Sequence, residues 1–131
     1  MILDTSFILD LWGGKPEAVA KAREIDARGE PVYLPTPALF ELWEGVARSG
    51  RPTEEATKVR EFTAGHELLP FSEADAREAG LLSGRLSRIG RMMGTIDVEI
   101  AGMAKARDEA LLATDRRFRE LSGEIRVERY P

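Results

Sequence analysis

The chain is predicted to be an α/β protein, with a central, mostly parallel β-sheet flanked by helices in a three-layer arrangement. Three observations carry this. Short apolar runs alternate with longer amphipathic stretches. Proline and glycine punctuate those stretches where helices begin and end. The 131 residues suit one domain with one core, spanning 1–131, and include no cysteine, so disulfides play no part.

Residues 1–4 read as a short apolar strand ending at Asp4. Residues 16–28 read as a helix opened by Pro16 and stopped before Gly29. Val32 to Leu34 is a second strand. Thr36 and Pro37 supply an N-cap and a first helical position for a helix to about Arg48. Pro52 opens the next helix, which ends near Gly65. Glu67 to Phe71 is a strand. Ser72 and Asp75 form a capping-box variant at the head of a long helix to about Ile89. Thr95 can cap a helix to about Arg107. Ala110 to Thr114 is a strand, Asp115 to Leu121 a short helix anchored by Phe118, and Ile125 to Glu128 a last strand. This alternation implies crossover units and a sheet covered on both faces. In such sheets ligands bind at the carboxyl ends of the strands.

Composition narrows the chemistry. No apolar run approaches the roughly 20 residues that span a bilayer, and the N-terminus lacks a basic leader. A cytoplasmic location is therefore expected. His66 is the only histidine, which argues against paired-histidine catalysis and most zinc sites. Carboxylates are plentiful, and carboxylate sites select magnesium or manganese. The net charge of −4 means that any nucleic acid must be held by a local basic rim, a metal or a partner chain.

Four acids stand out. Asp4 directly follows a buried strand, where a carboxylate needs a cap role, a partner or a metal. Glu41 lies beside Ala38 and Gly45, off the centre of a stripe formed by Leu39, Leu42, Trp43 and Val46. Alone, it reads as an ordinary solvated glutamate. Asp97 sits in the first turn of its helix, where the dipole favours an acid in any case. It borders Ala101 and Ala104, at the edge of a face marked by Ile96, Ile100 and Met103. Glu99 is about 160° away around that helix and is set aside. Asp115 follows the fourth strand, where it could equally cap a helix.

Taken in order, Ile2-Leu3-Asp4-Thr5-Ser6, Glu41, Asp97-Val98-Glu99-Ile100-Ala101 and Leu112-Ala113-Thr114-Asp115-Arg116-Arg117-Phe118 resemble the PIN-domain nucleases, and among them the VapC-type toxins of toxin–antitoxin pairs. The resemblance covers essentially the whole chain. It implies a PIN-like fold and an acidic quartet of Asp4, Glu41, Asp97 and Asp115, with Ser6 at the family's small hydroxyl position beside the first acid. Ala113 stands where many members carry threonine, with Thr114 adjacent instead, and Arg117 occupies a position that is sometimes acidic.

The implied activity is magnesium-dependent hydrolysis of RNA phosphodiester bonds leaving a 5′-phosphate, with manganese a plausible substitute. Asp4, Asp97 and Asp115 would be the metal ligands, Glu41 would hold or deprotonate the attacking water, and Ser6 and Thr114 would support the acids. Arg116 and Arg117 are candidate phosphate contacts. Arg85, Arg88 and Arg91 read better as a solvated charged face. The implied partners are an RNA substrate, a VapB-like antitoxin and a second copy of the chain in a homodimer.

Other readings are a non-toxin RNA-processing PIN nuclease and a non-catalytic PIN domain that binds RNA or a partner. A haloacid dehalogenase-type phosphatase is disfavoured. It needs a second aspartate where Ser6 stands, and a later lysine that is absent.

Overall fold

Ile2 and Leu3 form β1, the middle strand of the sheet, and both are buried. The computed structural model describes residues 1–114 and 116–131. After β1 come α1 (Thr5–Trp12), α2 (Pro16–Arg28), β2 (Tyr33–Pro35), α3 (Thr36–Arg48), α4 (Pro52–Ala64) and β3 (Glu67–Leu69). Then follow α5 (Glu73–Arg88), α6 (Thr95–Arg107), β4 (Leu111–Thr114), a 3-10 turn at Arg119–Leu121 and β5 (Val127–Tyr130). Every strand pair is parallel, in the order β3-β2-β1-β4-β5. This is the α/β architecture expected from the alternation of strands and helices.

That order fixes where a site can form. From β1 the chain steps to β2 and β3 in one direction, then crosses back to add β4 on the other side of β1. The connections leaving β1 and β4 therefore diverge and leave a crevice at the carboxyl ends of these two strands. The ladder runs up to that crevice, because Asp4 N donates to Leu112 O at 3.1 Å. At the opposite end, the Met1 ammonium is buried. It donates to Pro31 O at 2.9 Å and pairs with Glu109 at 2.7 Å.

The helices α5 and α6 pack unusually closely. A Cβ at Gly102 would stand 2.6 Å from the Ala79 Cβ, so only glycine permits this approach. Val98, Ile100, Ala101, Met103 and Ala104 are all buried, so α6 is covered on most sides. Its register is thereby fixed, and with it the direction of Asp97.

Several local expectations need correction. The helix α1 begins immediately after β1, with no intervening loop to announce it. Thr36 and Thr95 are first helical residues and not caps; Pro35 and Gly94 occupy the N-cap positions. Thr36 Oγ1 instead accepts from Phe71 N at 3.2 Å, tying α3 to the segment after β3. On α3 the buried face is Ala38, Leu42 and Val46, while Trp43 turns outward and stacks under Arg60. The face is thus rotated toward Glu41. The last strand begins at Val127, two residues later than expected. The capping box at Ser72 and Asp75 is present as predicted.

Candidate active site

Asp4 is fully buried at the N-cap position of α1, yet its side chain makes no cap hydrogen bond. Its oxygens turn into the crevice. Oδ2 accepts from Ser6 Oγ, and both oxygens face Arg117. Arg117 Nη2 lies 3.5 Å from Asp4 Oδ1, and Nε lies 3.3 Å from Asp4 Oδ2. The same Nη2 donates to Asp97 Oδ1 at 2.5 Å. One guanidinium therefore bridges the acid after β1 and the acid in the first turn of α6.

Glu41 reaches the same place from α3. Its Oε1 accepts from Thr5 Oγ1 at 2.6 Å. The hydroxyls of two consecutive residues thus serve two different acids: Ser6 holds Asp4, and Thr5 holds Glu41. Burial raises the pKa of Asp4, and Asp97 adds to this, against the opposing pull of Ser6 and Arg117. Burial also raises Glu41, with Asp97 and Asp4 adding to it and Thr5 opposing. Burial would lower the pKa of Arg117, but Asp4 and Asp97 outweigh it and hold the guanidinium charged.

Behind this cluster stands Tyr130, the last residue of β5. It is buried against the edge of Phe7 and donates from its hydroxyl to Asp10 at 2.8 Å. Burial and the Asp10 carboxylate push its phenol up, so it stays a donor.

The chain after β4 aims Arg117. Phe118 is buried and adopts the left-handed conformation, with φ 63°. That conformation costs about 1–2 kcal/mol for a residue with a Cβ, offset by burial of the ring. Arg129 braces the turn from β5, donating to Thr114 O at 3.2 Å and Arg117 O at 2.9 Å. Arg117 N donates to Thr114 O at 3.2 Å. Thr114 therefore contributes its carbonyl to the brace.

The structure thus brings together Asp4, Ser6, Glu41, Asp97 and Arg117. Asp115 lies outside the described residues. Arg116 is exposed. Glu99 lines a groove with Phe71, Ala76 and Gly80 on the α5 side, away from the cluster. Arg85 pairs with Glu124 at 2.6 Å and Arg91 with Glu120 at 3.9 Å, consistent with a solvated charged face. The sequence reading missed Thr5, although it stands between two residues already singled out, and it missed Arg129.

Among the described residues, no three acids close into a ready-made metal cage. The donor set nevertheless fits a hard cation. It is all oxygen, and a positive group already sits between Asp4 and Asp97 where charge balance requires one.

Comparison with known proteins identifies the family. Residues 1–124 match the PIN domain family. The tRNA(fMet)-specific endonuclease VapC of Shigella flexneri is 27% identical over 127 residues, covering 97% of this chain and 95% of that protein. The solved VapBC2 of Rickettsia felis, bound to a DNA fragment from its promoter, superposes with a TM-score of 0.87 at 21% identity. That alignment covers 99% of this chain and 98% of the other. VapBC-5 of Mycobacterium tuberculosis, from the VapBC family of toxin–antitoxin systems, superposes with a TM-score of 0.64 at 28% identity, over 74% and 79% of the two chains. The resemblance read from the spacing of the acids is therefore matched over nearly the whole length, and the chain belongs to the PIN domain family.

Proposed function

We propose that this chain is a magnesium-dependent endoribonuclease that acts as the toxin of a type II toxin–antitoxin pair. The observation that carries the reading is the convergence of Asp4, Glu41 and Asp97 on one crevice at the sheet's switch point, with the Arg117 guanidinium between the two aspartates. The similarity to the Shigella endonuclease over almost the full length of both chains supports it.

Asp4 and Asp97, with Asp115, would hold magnesium or manganese. Such an ion, when bound, would supply a more acidic water and charge stabilisation at the phosphodiester. Glu41 would hold the attacking water and accept its proton, with Thr5 orienting the carboxylate. Ser6 keeps Asp4 in a single rotamer. Exposed Arg116 contacts phosphate at the mouth, and the strand is cut to leave a 5′-phosphate.

The toxin role rests on likeness to VapBC assemblies. It brings a VapB-like antitoxin, a homodimer and cytoplasmic action as expected partners and setting. Exposed Leu9 on α1 and exposed Phe40 and Trp43 on α3 offer apolar surface for such a partner. No helix among the described residues is long and apolar enough to cross a membrane.

The test is cleavage of end-labelled RNAs by the purified chain, starting with initiator tRNA, with magnesium or with chelator. Cleavage should require magnesium and fall by roughly 1,000-fold or more in Asp4→Ala, since loss of the ion removes several kcal/mol of stabilisation. Full magnesium-dependent cleavage by a clean Asp4→Ala preparation would sink the assignment.

A further inference from the structure

We propose that Arg117 is a resident counter-ion of the carboxylate cluster, which a divalent cation must displace to load the site. The proposal rests on the metal-dependent reading above and deepens it. The guanidinium occupies the oxygens that a cation would need: it faces both oxygens of Asp4 and Oδ1 of Asp97. The guanidinium takes up lone pairs that a cation would use, and two positive groups at that distance repel, so arginine and metal compete for the site.

The arginine is built to leave. Its Nε is buried and, among the described residues, makes no hydrogen bond, facing Asp4 Oδ2 only as an ion pair at 3.3 Å. A buried unsatisfied donor disfavours the seated position. The side chain is 35% exposed, which gives it a path to solvent. Its backbone, by contrast, is fixed. Arg129 holds the Arg117 carbonyl, and Phe118 is pinned in the core beside it. Displacement therefore needs only side-chain rotation, and the fold of the crevice is kept. In the metal-free state the arginine neutralises two acids that would otherwise repel each other.

The experiment measures manganese binding by calorimetry to the wild-type chain, Arg117→Gln, Arg117→Lys and Asp4→Asn. Arg117→Gln should bind manganese about tenfold more tightly than wild type, with Arg117→Lys in between. In chelator, Arg117→Gln should melt below wild type and gain more from added manganese. The Arg117 Nε–H resonance of the wild-type chain, identified by its loss in Arg117→Lys, should shift as magnesium saturates the site. This measurement decides the matter even if Arg117→Gln does not fold.

Unchanged manganese affinity in a folded Arg117→Gln overturns the proposal and leaves the metal-dependent reading intact. An Arg117 resonance that magnesium does not move does the same. If neither wild type nor Arg117→Gln binds manganese, or if Asp4→Asn still binds it, the metal-dependent reading itself fails.

Discussion

Two aspartates in this molecule are buried to the same degree, and each faces an arginine. Asp4 is 0% exposed and Asp75 is 1% exposed. Their environments still push them in opposite directions. Burial alone would raise Asp75, but Arg107 at 2.9 Å and the Ser72 backbone at 2.8 Å overcome it and hold the carboxyl below its ordinary range. Arg107 also donates to Pro70 O, so this pair locks α6 to the start of α5. Asp4 has an arginine and a hydroxyl too, yet stays above its ordinary range, because burial outweighs both and Asp97 adds to it. The contrast separates an acid paired to build the fold from an acid left with raised proton affinity in a crevice. The first is given donors until its charge is satisfied. The second is buried beside another acid and shares one arginine with it, so its charge is only partly satisfied.

The largest expected difference is in stability. Asp75→Asn breaks a buried pair and leaves Arg107 short of its partner, so it should cost about 3 kcal/mol in urea unfolding. Asp4→Asn, measured in chelator, should cost nothing and stabilise slightly at neutral pH, because it removes a charge that the fold disfavours. Equal losses in the two variants would erase the distinction. The next largest effect concerns the ion. Magnesium at about 100 times its Kd should add roughly 2.7 kcal/mol to the wild-type chain and to Asp75→Asn, and nothing to Asp4→Asn. A gain in Asp4→Asn would place the ion elsewhere.

The same contrast explains what the sequence could disclose. The Ser72–Asp75 box is local, as are the proline starts of α2 and α4, and all three were legible from a few adjacent residues. The acids were legible because strand ends and helix first turns are themselves readable positions. The helix α1 was not, since Thr5–Trp12 is densely apolar and follows β1 without a breaker. Nor was the turn at Phe118, where burial of a ring overrides the local preference against positive φ. That turn decides where Arg117 points. Its spacing suggested a phosphate contact at the rim, whereas its side chain lies between Asp4 and Asp97. Long side chains are aimed by tertiary packing, and no short motif records the outcome.

The smallest effect is the most direct measure of the contrast, because the two acids should bend stability against pH in opposite senses. Asp75 has a depressed folded pKa. Between that value and its unfolded value near 3.9, the unfolded chain binds more protons, so stability rises with pH and is fully present above about pH 4. It is lost as pH falls through the folded value. Asp4 and Glu41 have raised folded pKa values, so over their windows the folded chain binds more protons. Stability there falls as pH rises from the unfolded values, about 4, through the raised folded values. In chelator, Asp75→Asn should flatten the acid limb below about pH 4 and leave the neutral limb unchanged. Asp4→Asn should do the reverse, raising Tm by about 2–5 °C at neutral pH and by nothing in acid. Saturating magnesium should remove the neutral slope from the wild-type chain, since a bound cation makes the charged form of Asp4 the favoured one. A neutral slope that survives both Asp4→Asn and magnesium would assign it to Glu41 or to groups outside the crevice. The raised proton affinity of Asp4 would then no longer mark it as an acid held ready for a cation.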